Sequence, residues 1–150
     1  MLDKCASELI QYVNDISMKL KRISDSEASV KTSDKQWSKK ELIGHLLDSA
    51  ANNHHRFIRA QESNELTFPA YEQDNWVALQ DYNSSSWEHL IELWRLYNIQ
   101  LAHVMKNIKP ESLKVICTIG NYSPECLEAI IIDYLPHMKH HIEHKNFGLK

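Results

Sequence analysis

The sequence predicts an all-α chain folded as a four-helix bundle, and three observations predict it. Glycine and proline are scarce, three and four of 150 residues, which leaves few turns and long uninterrupted segments. Four long stretches carry apolar residues at three- and four-residue steps, the pattern of a helix with one face turned to a core. Two of those stretches open on serine followed three residues later by glutamate, the capping-box spacing. The length suits one domain, residues 1–150, with a core of its own.

The first helix is expected from about Asp3 to Ser24, with Leu9, Ile10, Val13, Ile16, Leu20 and Ile23 inward. A polar connection follows, rich in residues that favour turns and caps. Ser38 with Glu41 then starts a second helix that runs to about Glu62. Leu42, Leu46, Ala50 and Phe57 mark its core side, widened by Ile43, Leu47 and Ile58. Beside that face runs a polar stripe, His45, Ser49, Asn52 and Arg56. On spacing alone it is a polar edge facing water; the other reading is a wall of polar groups beside a cavity. Arg56 would stand about 16 Å from His45 along the axis, at 1.5 Å per residue. His54 and His55 have no partner at i+4 and read as surface or packing residues.

Pro69 breaks the helix pattern, and a short extra helix is expected in this second connection. There Tyr71 and Trp76 either cover the bundle end or, with Gln73 and Asp74, line a pocket mouth. Ser85 with Glu88 is expected to open the third long helix, to about Asn107, with Leu90, Leu93, Trp94, Tyr97, Leu101, Val104 and Met105 inward. His89 and His103 read as structural or exposed. Val115–Ile119 is a brief extended run before the Gly120-Asn121 turn, read as a loop or part of a small hairpin. Ser123 and Pro124 suit the start of the last helix. Cys126 would lie in its first turn as a small core residue.

That last helix holds four of the nine histidines, His137, His140, His141 and His144. His137/His141 and His140/His144 are both spaced i, i+4, which puts each pair on one face a turn apart. At about 100° per residue, Leu127, Ile130, Ile131, Tyr134 and Met138 carry the apolar face. His141 falls inside it, His137 at its edge, and His140 toward water. His137 and His141 are therefore the inward pair, placed either as core histidines with hydrogen-bond partners or as ligands to one metal ion. Pro136 sits mid-helix and should bend it.

Composition excludes several classes. A net charge of −3 gives no basic footprint for nucleic acid. No apolar run approaches the ~20 residues of a membrane span. The first residues lack the apolar core of a signal peptide. Three cysteines, Cys5, Cys117 and Cys126, argue against a disulfide framework and suit a reducing cytoplasm.

Taken together, several motifs resemble the DinB-like (DNA-damage-inducible-type) family of four-helix-bundle metalloproteins. They are Trp37-Ser38, Gly44-His45 with Asp48-Ser49, Asn52 and Arg56, then Tyr71 to Trp76, then Asp133-Tyr134 and His137 with His141. The resemblance covers about Trp37 to His144. It implies a catalytic metal site of three histidines, here His45, His137 and His141, holding zinc, nickel, manganese or iron. Several members are thiol-dependent transferases, so the resemblance also implies a low-molecular-weight thiol as co-substrate.

Three neutral imidazoles leave a divalent ion its full charge and an open position, as in catalytic sites. The reaction expected first is S-transfer, in which the thiol attacks an electrophilic small molecule. Asn52 and Arg56 would hold polar groups of one ligand, and Tyr71 and Gln73 would orient the other. Hydrolysis is the second reading, with Asp133 as base or as the group that orients His137. The third is a non-catalytic stress-response metal-binding module, with the bundle serving a homodimer through Trp76 and Trp87.

Overall fold

The computed structural model describes residues 1–144. Four long helices build the core: α1 (Leu2–Leu20), α3 (Lys39–Arg59), α5 (Trp87–Lys106) and α6 (Leu127–His144). A four-residue helix α2 (Asp25–Ala28) interrupts the first connection, and α4 (Gln73–Gln80) is the short extra helix expected in the second. α5 lies between α1 and α3, and α6 closes the other side against both. No helix among the described residues is long and apolar enough to cross a membrane.

The apolar stripes meet in the centre. Leu9, Val13 and Leu20 of α1, Ile43, Leu46 and Phe57 of α3, Trp94 and Leu101 of α5, and Leu127 and Ile131 of α6 are all essentially inaccessible to water. One polar link crosses this core. The Tyr134 hydroxyl donates to Asn98 Oδ1 at 2.7 Å, and Asn98 Nδ2 donates to the Trp94 carbonyl at 2.8 Å. Both buried groups are thereby satisfied, as burial demands.

Two wide stripes were read too generously. Ile58 and Leu93 are each 42 % exposed, because each sits beyond the edge of the face its helix turns inward. The α3 cap is as the sequence predicts: Glu41 N donates to Ser38 Oγ, and Ser38 N donates to Glu41 Oε2. At α5 the cap is Ser86 rather than Ser85, accepting from His89 N, and the helix starts at Trp87. Asp25 decides this entry. Its carboxylate accepts from Trp87 N at 2.8 Å and from Lys40 Nζ at 2.8 Å. Trp87 is buried, its indole N–H donating to the Leu20 carbonyl at 3.1 Å, so it is a core residue and not an exposed interface aromatic.

The extended run before Gly120 is a strand with partners. β1 (Glu65–Phe68) pairs in parallel with β2 (Ile116–Ile119), Glu65 facing Ile116 and Phe68 facing Ile119. β3 (Glu125–Cys126) adds antiparallel to β2. Ser123-Pro124-Glu125 therefore does not open the last helix. Glu125 and Cys126 are drawn into the sheet, Leu127 N donates to the Val115 carbonyl at 2.9 Å, and α6 begins there. Cys126 is a half-buried strand residue rather than a helix first-turn residue. Gly120 takes a left-handed φ of 52° at the turn, and a Cβ there would lie 2.7 Å from that of Ala70. The small sheet thus staples the second connection to the segment before α6.

Candidate functional site

Local sequence at the start of α3 sets the first histidine. The capping box fixes the helix N-terminus, and Trp37 just before it lays its ring on His45, centroids 4.8 Å apart. The ring of His141 lies 4.8 Å from His45 on the α6 side. His45 is 1 % exposed. The stripe His45, Ser49, Asn52 and Arg56 is not a solvent-facing edge: the first three are buried and Arg56 is half-buried. α4, the Tyr82 turn and α6 cover it.

On α6 the i, i+4 pair meets, although His137 is not turned inward as the helical wheel predicts. His137 is exposed, His141 is half-buried, and their Nε2 atoms are 3.2 Å apart. His140 is exposed. The side chain of His144, the other half of the second pair, lies outside what the structure describes. One ligand atom each from His45, His137 and His141 falls within 4.8 Å of the other two.

These residues fit a metal ion. Nitrogens bonded at about 2.0–2.1 Å in a tetrahedral site lie roughly 3.3 Å from each other, and the His137–His141 separation is close to that edge. The donor set is three imidazoles, which suits several first-row divalent ions.

A second layer lies one turn along α3. Asp48 is 3 % exposed. Its Oδ1 accepts from the Tyr82 hydroxyl at 2.6 Å and from Gln80 Nε2 at 2.7 Å, while Oδ2 is buried without a hydrogen bond among the described residues. Burial pushes this carboxyl above its usual range, opposed by those two hydrogen bonds. The same burial, with Asp48 beside it, drives the Tyr82 phenol far up. Tyr82 reaches Asp48 only because residue 44 is glycine: a Cβ there would lie 2.0 Å from the Tyr82 ring.

The sign of the pH effect follows. A carboxyl raised in the folded state keeps its proton where the unfolded chain has lost it, so stability falls as pH rises from the ordinary value, about 3.9. Asp48→Asn keeps the acceptor for Tyr82 and Gln80 and removes this penalty. The melting temperature of Asp48→Asn relative to the native chain is expected to climb between pH 4 and pH 7, as followed by circular dichroism. A difference that narrows over that range would refute the assignment.

Beside the histidines opens a cavity of about 460 Å³. His137, Asp133 and Tyr134 of α6 form one wall, and Ser49, Asn53 and Arg56 of α3 another. Tyr71, Gln73 and Cys117 complete it. The Arg56 guanidinium lies over the Phe68 ring, 5.5 Å from its centroid, and Nη1 reaches Asn53 Oδ1 at 3.5 Å. Burial lowers the Arg56 pKa, yet a guanidinium stays charged. Burial also pushes Tyr71 up to about 12, with Asp48 adding to the rise and Arg56 opposing it.

Of the residues expected to hold ligand, Arg56, Tyr71 and Gln73 share this cavity with His137. Asn52 does not. Its amide donates to the Asp48 carbonyl at 2.9 Å, and it lines a separate surface cleft with His55 and Trp76. Tyr71 packs on Trp76, ring centroids 4.8 Å apart, between the two. Asp48, Asn53 and Tyr82 are site residues that spacing did not single out. Asn53 stands one residue from the stripe; Asp48 stands one turn from His45 and belongs to the Gly44-His45 and Asp48-Ser49 motif of the family resemblance.

No protein-family model matches the chain. The chain is similar to YfiT of Bacillus subtilis. "Putative metal-dependent hydrolase YfiT" is 23 % identical over 144 residues, spanning 90 % of this chain and 79 % of that one. A Bacillus mycoides protein bearing the same hydrolase name is 22 % identical over 144 residues, 96 % of this chain and 83 % of its own. An Oceanobacillus iheyensis protein of that name matches more locally, 28 % over 72 residues, 48 % of this chain and 42 % of its own. The solved structure of YfiT, described as having an unusual four-helix bundle topology, superposes with a TM-score of 0.74 over 93 % of this chain and 82 % of that one, at 22 % identity. The likeness establishes the four-helix bundle as the fold.

Proposed function

We propose that the chain is a metal-dependent enzyme whose divalent ion is held by His45, His137 and His141 and whose substrate enters the adjoining cavity. The observation that carries this is the convergence of three imidazole nitrogens within 4.8 Å, beside a cavity that His137 also lines. When bound, such an ion supplies Lewis acidity, lowering the pKa of a water or a thiol at its open position. Membership of the DinB-like family is part of the proposal; it is supported by the bundle, the histidine set and the similarity to YfiT.

Hydrolysis is the reaction put first. The relatives carry that name, and Asp133, one turn before His137, shares the cavity wall with it. An exposed carboxylate there can take a proton from an entering water. Arg56, Tyr71 and Gln73 would position the substrate. Transfer of a small thiol is the second reading, favoured by the DinB-like motifs; under it the same side chains would hold thiol and electrophile.

A single assay separates them. The purified protein is given a chromogenic ester or, separately, a chromogenic electrophile with and without a small thiol, each before and after chelation. Turnover of the ester that a chelator abolishes and added divalent metal restores is the expected result. Turnover that requires the thiol would move the assignment to S-transfer. Activity indifferent to both the chelator and His137→Ala would refute the metal-dependent reading.

A further inference from the structure

Arg56 is a charged group with no ion-pair partner among the described residues. Among the described residues its buried Nε has no acceptor, and Nη1 reaches Asn53 Oδ1 only at a long 3.5 Å. The guanidinium carbon lies over the Phe68 ring, 5.5 Å from its centroid. Arg56 lines the cavity. A buried donor without an acceptor is unfavourable in the free protein and is relieved when a ligand supplies one.

Two acids share the cavity lining: Asp133, one turn from His137, and the exposed Glu125, which pairs with Cys117 across β2 and β3; among the described residues neither forms an ion pair with Arg56. Tyr71, Cys117 and Tyr122 line the cavity with Arg56. Arg56 lies about 16 Å along α3 from His45, at 1.5 Å per residue. The cavity thus takes a guanidinium from α3 and an imidazole, that of His137, from α6.

We infer that the substrate is an organic carboxylate, its anionic group seated on Arg56 and its reactive group directed to the histidine end. A carboxylate is planar and accepts two parallel N–H bonds, which is what a guanidinium offers. A neutral isostere would leave the fork unfilled. This rests on the reading of the cavity as the substrate site and adds the class of molecule it takes.

The test compares para-trifluoromethylbenzoate with para-trifluoromethylbenzamide by fluorine NMR line broadening. The native chain, Arg56→Gln, Arg56→Lys and His45→Ala are titrated, the native chain also after chelation. The benzoate is expected to bind the native chain at least tenfold more tightly than the benzamide. Arg56→Gln should erase that preference, and Arg56→Lys should keep part of it. The preference should survive chelation and His45→Ala, since neither touches the Arg56 end. Equal binding of acid and amide by the native chain, which needs no variant to fold, would overturn the inference. So would a preference untouched in Arg56→Gln, or one abolished by chelation, which would put the carboxylate on the metal instead. Loss of metal in His45→Ala with the preference intact upholds the inference; a native chain that binds no metal yet keeps the preference refutes the metal-dependent reading alone.

Discussion

Replacing His45 with alanine is expected to leave the far-ultraviolet circular dichroism of a helical bundle and to remove stoichiometric divalent metal. His45 is the buried member of the trio, held between the Trp37 and His141 rings. Changing even a group that merely orients a ligand lowers metal affinity by about 10–100-fold, so losing a ligand outright should exceed about a hundredfold. His140→Ala is the control: its ring is exposed and is not one of the three that converge, and its metal content should match the native chain. Elemental analysis of the purified proteins decides between these outcomes. Unchanged metal in His45→Ala, or equal loss in both variants, would remove the trio from consideration.

Gly44→Ala is expected to destabilise the fold strongly for so small a change. The added methyl would meet the Tyr82 ring at 2.0 Å, a contact no rotamer of alanine can avoid. Overpacking of this kind costs about 1–3 kcal/mol and occasionally more. For a chain of this length that lowers the melting temperature by about 2–4 °C per kcal/mol. Tyr82 must move, and its hydrogen bond to Asp48 goes with it. The mechanism is checked by a double-mutant cycle. With Tyr82→Ala already in place there is no ring to strike, so Gly44→Ala should become nearly neutral. A coupling energy below about 0.5 kcal/mol would mean that the two sites act independently and that the close approach is not the cause.

The parts of this molecule that could be read from the chain are those written in local periodicity. The α3 capping box, the four apolar stripes and the choice of His137/His141 over the outer pair all depend on residues within a turn or two of each other. What could not be read depends on segments far apart. β1 and β2 pair in parallel across some fifty positions, and neither strand announces the other. Once they pair, Glu125 and Cys126 are claimed as a third strand, which delays α6 to Leu127. The Ser86 cap was hidden in the same way, since Asp25 from another connection binds Trp87 N. The polar stripe of α3 shows the limit most directly. Its spacing could not reveal that Tyr82 and α6 would cover it, so the burial of His45 and Ser49, and the role of Asp48, appear only in three dimensions.

The three-stranded staple has a further consequence. The histidines ride on long helices whose placement is set by the core, whereas Tyr71, Cys117 and Tyr122 sit on or beside short strands and turns at the margin. Part of the cavity wall is thus carried by stretches of chain separate from the long helices that hold the histidines and Arg56. Grafting residues 65–72 together with 116–126 from a similar protein should re-tool what the cavity admits while the bundle and its histidine trio carry over intact.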